Sequence, residues 1–209
     1  MEHQSFIFTI FFLTFGPLRI IGPYAQLTKK VTPEFKKKVA IKASLIALGI
    51  CLYIAFFGER IVSKYRISVD ALTIAAGMVL LISSLLTIFS SKESKSSIYS
   101  DLPLNPTTTK LAISPVASPI VVPPIGIAVI WISIMVSPNH PGMQSIVIET
   151  ILIMMSLDFL VMFFIDQITK ISILMLFFLI LGDALVFLQV ALADEMIISA
   201  FRHLRIIPR

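Results

Sequence analysis

Phe15–Thr28 reads FGPLRIIGPYAQLT and directly follows a largely apolar run at the start of the chain. A membrane-crossing helix is expected at this position. Yet Gly16-Pro17, Arg19 and Gly22-Pro23 all fall within eight residues. Proline has no backbone donor and its ring collides with the carbonyl one turn earlier. In hydrocarbon the groups it frees must find partners inside the protein or along a wet cavity. The stretch therefore predicts a bent or discontinuous first span that faces inward.

The rest of the composition supports that setting. Apolar residues make up 57% of the 209 positions and charged residues 14%, against about 25% in soluble proteins. The chain reads as an all-α, polytopic membrane protein whose lipid partner is the bilayer. Much of the net charge of +5 lies in Lys29, Lys30, Lys36, Lys37, Lys38 and Lys42, beside apolar spans. Lysines there set membrane orientation and do not argue for nucleic acid. The single Cys51 has no intrachain disulfide partner. His3, His140 and His203 fall far apart, in loops or tails. No glycine-rich phosphate loop or cysteine cluster is present, so the sequence points to no metal, no cofactor and no enzyme. Glu2 and His3 stand where a signal peptide would be basic, so the first span is expected to stay in the mature protein.

A helix needs about 20 apolar residues to cross the hydrocarbon core. Six stretches fit: 6–27, 38–58, 69–89, 111–136, 146–165 and 171–193. Thr32-Pro33-Glu34 is a helix start, with a cap residue, a proline at the first position and an early acid. Ser68 is a second cap. The fourth stretch contains Pro115, Pro119, Pro123 and Pro124, so the first and fourth segments are both expected to be discontinuous. Residues 90–110 form a polar Ser/Thr-rich linker between a three-span half at 1–89 and another at 111–193. Residues 194–209 are a tail that either lies on the membrane surface as a short helix or is solvated.

The halves resemble each other, with a proline-broken first span and an unbroken third. Three spans per half invert one half relative to the other, the plan of many secondary transporters, with the site where the broken spans meet. With the N-terminus outside, ten Lys/Arg fall on the inner side and six on the outer. This assigns both termini to the non-cytoplasmic side of the cell (inner) membrane.

Half-helix N-termini offer unpaired N–H groups to an anion, and freed carbonyls suit an ammonium or cation. Candidate binding residues are Gly16, Pro17, Arg19, Gly22 and Pro23 in the first span and Pro119, Pro123, Pro124 and Gly126 in the fourth. Asp183 joins them from the sixth. Arg19, Asp158 and Asp183 are charges at membrane depth, each costing about 2.5–3.5 kcal/mol at the centre. All three are expected to face inward, as an Arg19–Asp183 or Arg19–Asp158 ion pair or as proton or substrate handlers, unless Arg19 snorkels to the interface. Ala40/Ser44, Ala43/Ala47, Ala71/Ala75 and Thr73/Gly77 have the small-residue spacing that lets helices approach closely. Ser83, Ser84 and Thr87 either line a polar path or bond their own helix.

Four stretches carry a family resemblance: GPLRIIGPYAQLT, YRISVDALTIAAGMVLLISSLLTIF, LAISPVASPIVVPPIGIA and LILGDALVFLQVAL. In this order they resemble the MarC-related membrane proteins, six-span proteins also grouped as small neutral amino-acid transporters. The chain departs from that pattern at three places. Gly16-Pro17 stands for the usual Asn-Pro, Pro123-Pro124-Ile125 for Gly-Pro-Gly, and Ala76-Gly77 for a glycine pair. Arg19 and Asp183 are not part of the family motif. The resemblance implies alternating-access movement of a small neutral or zwitterionic solute such as an amino acid. Coupling to H+ or Na+ and the oligomeric state are left open. The competing expectation is a non-transporting membrane scaffold that recruits partners through its lysine loop and linker.

Overall fold

The computed structural model describes residues 2–89, 107–135 and 142–206, with no strand among the described residues. Helices α1 (Glu2–Phe15) and α2 (Leu18–Leu27) flank Gly16-Pro17 and together contain a 21-residue apolar segment, Ile7–Leu27. Helix α3 (Pro33–Lys64) starts where the sequence marks it, with Thr32 Oγ1 accepting from Phe35 N at 3.4 Å and Pro33 at the first position. Helix α4 (Val69–Phe89) is capped by Ser68 Oγ, which accepts from Ala71 N at 3.2 Å.

A short α5 (Thr108–Leu111) runs into a π-type turn, Ala112–Val121, followed by α6 (Pro124–Met135). Helices α7 (Met143–Phe163), α8 (Ile165–Lys170) and α9 (Ser172–His203) complete the chain. Among the described residues five segments, Ile7–Leu27 included, are each long and apolar enough to cross a membrane; Thr108–Val121 and Pro124–Met135 qualify only together, bent by 56°. The fourth segment is therefore sharply broken. The first is interrupted at Gly16-Pro17 but still counts as one apolar segment.

Two boundaries differ from the sequence reading. Helix α9 passes Ala193 without a break and ends at His203, so most of the expected tail continues the sixth span. The run ALADEMIISAFRH has no proline or glycine to stop it, and His203 Nδ1 meets Asp70 Oδ1 at 2.9 Å. Residues 90–106 of the expected linker lie outside the described residues. Its end, Thr108–Lys110, is helical, and Lys42 Nζ donates to Thr108 Oγ1 at 3.2 Å and Thr109 Oγ1 at 2.7 Å.

The packing is ordered by span. The first segment touches the fourth, α1 with α6 and α2 with the π-type turn. The second touches the fifth, α3 with α7, and the third touches the sixth, α4 with α9. Helix α3 also lies on the fourth segment, as α7 lies on the first, and α4 touches α6 as α9 touches α2. Exchanging the two halves maps these pairings onto one another, but among the described residues the contact of α6 with α7 has no counterpart of similar extent between the first segment and α3.

Small residues permit the closest approaches. Ala40, Ala43, Ala47 and Cys51 are fully buried along one side of α3. A β-carbon at Gly77 of α4 would lie 2.7 Å from Ile197 Cγ1 and 3.0 Å from Ala193 O of α9. Ala71 and Ala75 are exposed, so that pair does not carry the α4–α9 contact. Outer faces are apolar, with Phe89, Ile173 and Phe187 exposed, as a lipid-facing surface requires.

Candidate functional site where the two broken spans meet

The break in the first span follows from Pro17. In an unbroken helix the amide of residue 17 would donate to Leu13 O, and proline has no proton to give. The side-chain amide of Gln189, reaching from α9, donates to Leu13 O instead. Arg19 Nη1 donates to the next carbonyl, Thr14 O, at 3.2 Å. The chain then resumes as a tighter turn, Arg19 N donating to Gly16 O at 3.1 Å and Ile20 N to Pro17 O at 3.2 Å. Gly16 is required by space: a β-carbon there would sit 1.9 Å from Phe12 O. Pro23, six residues later and inside α2, leaves Arg19 O without its usual donor four residues on. Gly22 has open space around its missing β-carbon, so no close approach explains it.

The fourth span is broken more thoroughly. Pro115, Pro119, Pro123 and Pro124 deprive the carbonyls of Leu111, Pro115, Pro119 and Ile120 of their usual helical donors. Ser114 (φ −138°, ψ 128°) and Ser118 (φ −139°, ψ 126°) are extended. Val122 N reaches back five residues to Ala117 O at 2.9 Å, and Gly126 N donates to Pro123 O at 2.9 Å as α6 begins.

The two breaks touch. A β-carbon on Gly126 would lie 2.4 Å from Cζ of Phe15. Thus the ring one residue before Gly16-Pro17 rests on the glycine two residues after Pro124. Phe15, Val121 and Ile125, at the two breaks, are buried.

The three expected charges part company. Arg19 is half-buried, and among the described residues it has no acidic partner. Asp183 is exposed on the outer side of α9, because that helix turns Gln189, Ala193 and Ala200 inward. The expected Arg19–Asp183 pair is therefore not formed, and Asp183 is not at the junction. Asp158 does face inward, with 0% exposure, but neither carboxylate oxygen has a hydrogen-bond partner, so the Arg19–Asp158 pair is absent too. At one end of the bundle Lys36 Nζ pairs with Asp166 Oδ1 at 2.5 Å, and Tyr24 OH donates to Lys36 O at 2.7 Å.

Sequence reasoning missed Gln189. Its signal was present: a lone amide in the apolar run LVFLQVAL needs a partner at membrane depth. Besides Leu13 O, it meets Ser84 Oγ, which donates to Gln189 Oε1 at 3.4 Å. Ser84 thus serves a contact between spans, while Thr87 bonds Ser83 O of its own helix at 2.9 Å. No group of three or more metal-ligating side chains exists among the described residues.

Known proteins place this architecture. A UPF0056 membrane protein of Methanocaldococcus jannaschii is 28% identical over 209 residues, covering 97% of this chain and 98% of its own length. A UPF0056 membrane protein of Archaeoglobus fulgidus is 30% identical over 77 residues, 37% of this chain and 36% of its own. One from Buchnera aphidicola is 29% identical over 83 residues, 40% of this chain and 42% of its own. No solved structure matches. The sequence profile described as MarC family integral membrane protein matches residues 1–204, and the chain, a multi-pass membrane protein, belongs to that family.

Proposed function

We propose that this protein moves a small neutral or zwitterionic solute, such as an amino acid, across the membrane by alternating access. In this reading six spans form two inverted three-span repeats, and both termini lie on the non-cytoplasmic side. One observation carries it: the broken first and fourth spans abut at Phe15 and Gly126. Irregular backbone at membrane depth persists only where it is enclosed by protein or lines a cavity, and transporters place such breaks at their sites. The pairings that exchange between the halves support the repeat.

The chemistry suits a zwitterion. Arg19 uses one of its five N–H donors on Thr14 O, which leaves donors for a carboxylate. The carbonyls that Pro23, Pro119, Pro123 and Pro124 deprive of their usual helical donors suit an ammonium group. No reacting side chain is needed, which separates this reading from an enzyme.

The test is uptake of a panel of labelled small amino acids into proteoliposomes, with and without pH and Na+ gradients. Accumulation of at least one solute is expected. No flux in either direction, from protein shown to be folded, contradicts transport and favours a scaffold.

A further inference from the structure

Asp158 is the most isolated polar group in the described molecule. It lies in α7 with 0% exposure, and both oxygens lack a hydrogen-bond partner. Helices α3 and α7 are antiparallel and tied at both ends. Gln144 Nε2 donates to Ala55 O at 3.3 Å near one end, and Lys36 meets Asp166, just past α7, at the other. These ties set Asp158 against the first half of α3. There Ser44 Oγ is also buried without a partner. Two orphaned polar side chains thus belong to a pair of packed helices that bury mainly apolar residues, Ala40, Ala43, Ala47, Met154, Met155 and Met162 among them.

A bare carboxylate in such surroundings would cost far more than a neutral acid. The surrounding elements offer it no cation. Helix α6 carries no titratable side chain, and α1 has only Glu2 and His3, at its start. In α2, Arg19 bonds Thr14 O and Tyr24 OH bonds Lys36 O. In α8, Asp166 is held by Lys36, and Lys170 ends the helix. On α3, Lys36 is paired and Lys37 lies over the Phe163 ring at 5.0 Å, whereas Lys42 bonds Thr108 and Thr109. Glu149 lies more than two turns away on α7 itself. A hard cation would need several oxygen ligands, and no group of three or more metal-ligating side chains exists among the described residues. A proton needs none.

We infer that Asp158 is the proton-binding site that couples transport to a proton gradient, an assignment resting on the transport reading above. Closed, the site holds a neutral carboxylic acid. When α3 and α7 part and water enters, the O–H proton passes to water and a carboxylate remains. That carboxylate must regain a proton before the interface can close, so proton exchange is tied to the conformational cycle.

Infrared spectroscopy of the protein in membranes reads the assignment without transport. At neutral pH a protonated-carboxyl C=O band is expected in the wild type. It should be absent in Asp158→Asn and shifted in Asp158→Glu, which keeps the acid if the asparagine variant folds poorly. In proteoliposomes, an imposed pH gradient should drive accumulation by the wild type. Asp158→Asn should retain exchange at equal pH and lose at least tenfold of the gradient-driven accumulation. Wild-type flux without the band, or unchanged gradient response in Asp158→Asn, overturns the assignment. The band without wild-type flux instead overturns the transport reading.

Discussion

Replacing Gln189 by leucine isolates how the first span tolerates its break. Gln189 is 6% exposed, and its amide supplies the donor that Pro17 cannot give to Leu13 O. Leucine keeps the volume and removes the donor, which leaves a buried carbonyl unsatisfied. Such an orphan costs about 1–3 kcal/mol in a soluble protein. Hydrogen bonds between membrane helices average about 0.6 kcal/mol, because the unfolded state in lipid also finds partners. A loss of about 1–2 kcal/mol is therefore expected. The discriminating partner is Pro17→Ala, which restores an N–H four residues after Leu13. In that background Gln189→Leu should cost less than half as much. Equilibrium unfolding in mixed micelles of the two single variants and the double variant gives the coupling energy. Additive effects would show that Gln189 does not replace the missing donor, and would refute the account of the break.

Other glycines give sharper contrasts. Gly77→Leu should destabilise by about 1–3 kcal/mol through overpacking, since Ala193 O is backbone and cannot move aside as a side chain can; Gly182→Ala, with nothing within 4 Å of its β-carbon, should leave the thermal transition unchanged. Gly16→Ala, whose β-carbon would sit 1.9 Å from Phe12 O, should sharply lower the yield of folded protein in size-exclusion chromatography, whereas Gly22→Ala should not. With Cys51 replaced by alanine, Arg19→Cys and Ile120→Cys should both react with a water-borne thiol reagent if the junction opens to water. Protection of both throughout turnover would contradict that opening.

Much of this could be read in advance where the cause is local. A proline removes its own donor wherever it stands, so the breaks at Pro17 and Pro115–Pro124 were legible, as were the caps at Thr32 and Ser68. What depends on a neighbour was not. Arg19 was expected to seek an acid, but its observed acceptor is Thr14 O, a carbonyl beside the break, and a bond from a long side chain back to a carbonyl five residues earlier has no fixed sequence signature. Asp158 and Asp183 illustrate a second limit. Both are aspartates at membrane depth, and depth can be counted along the chain. The direction each faces depends on which side of its helix is packed, and that placed Asp158 inside and Asp183 outside. Gly126 was marked as a site residue, but its partner, Phe15, lies 111 positions away in the chain and only packing brings them together.

The central claim is that the Phe15–Gly126 junction opens and closes as solute passes. Its most direct test is solute flux through Phe15→Cys/Gly126→Cys protein, in a Cys51→Ala background, before and after the two cysteines are joined by oxidation. Removing the Phe15 ring frees the space that a side chain at 126 requires. The account predicts flux from the reduced protein, arrest on disulfide formation and recovery with reductant. Flux that continues undiminished through the cross-linked form would contradict it.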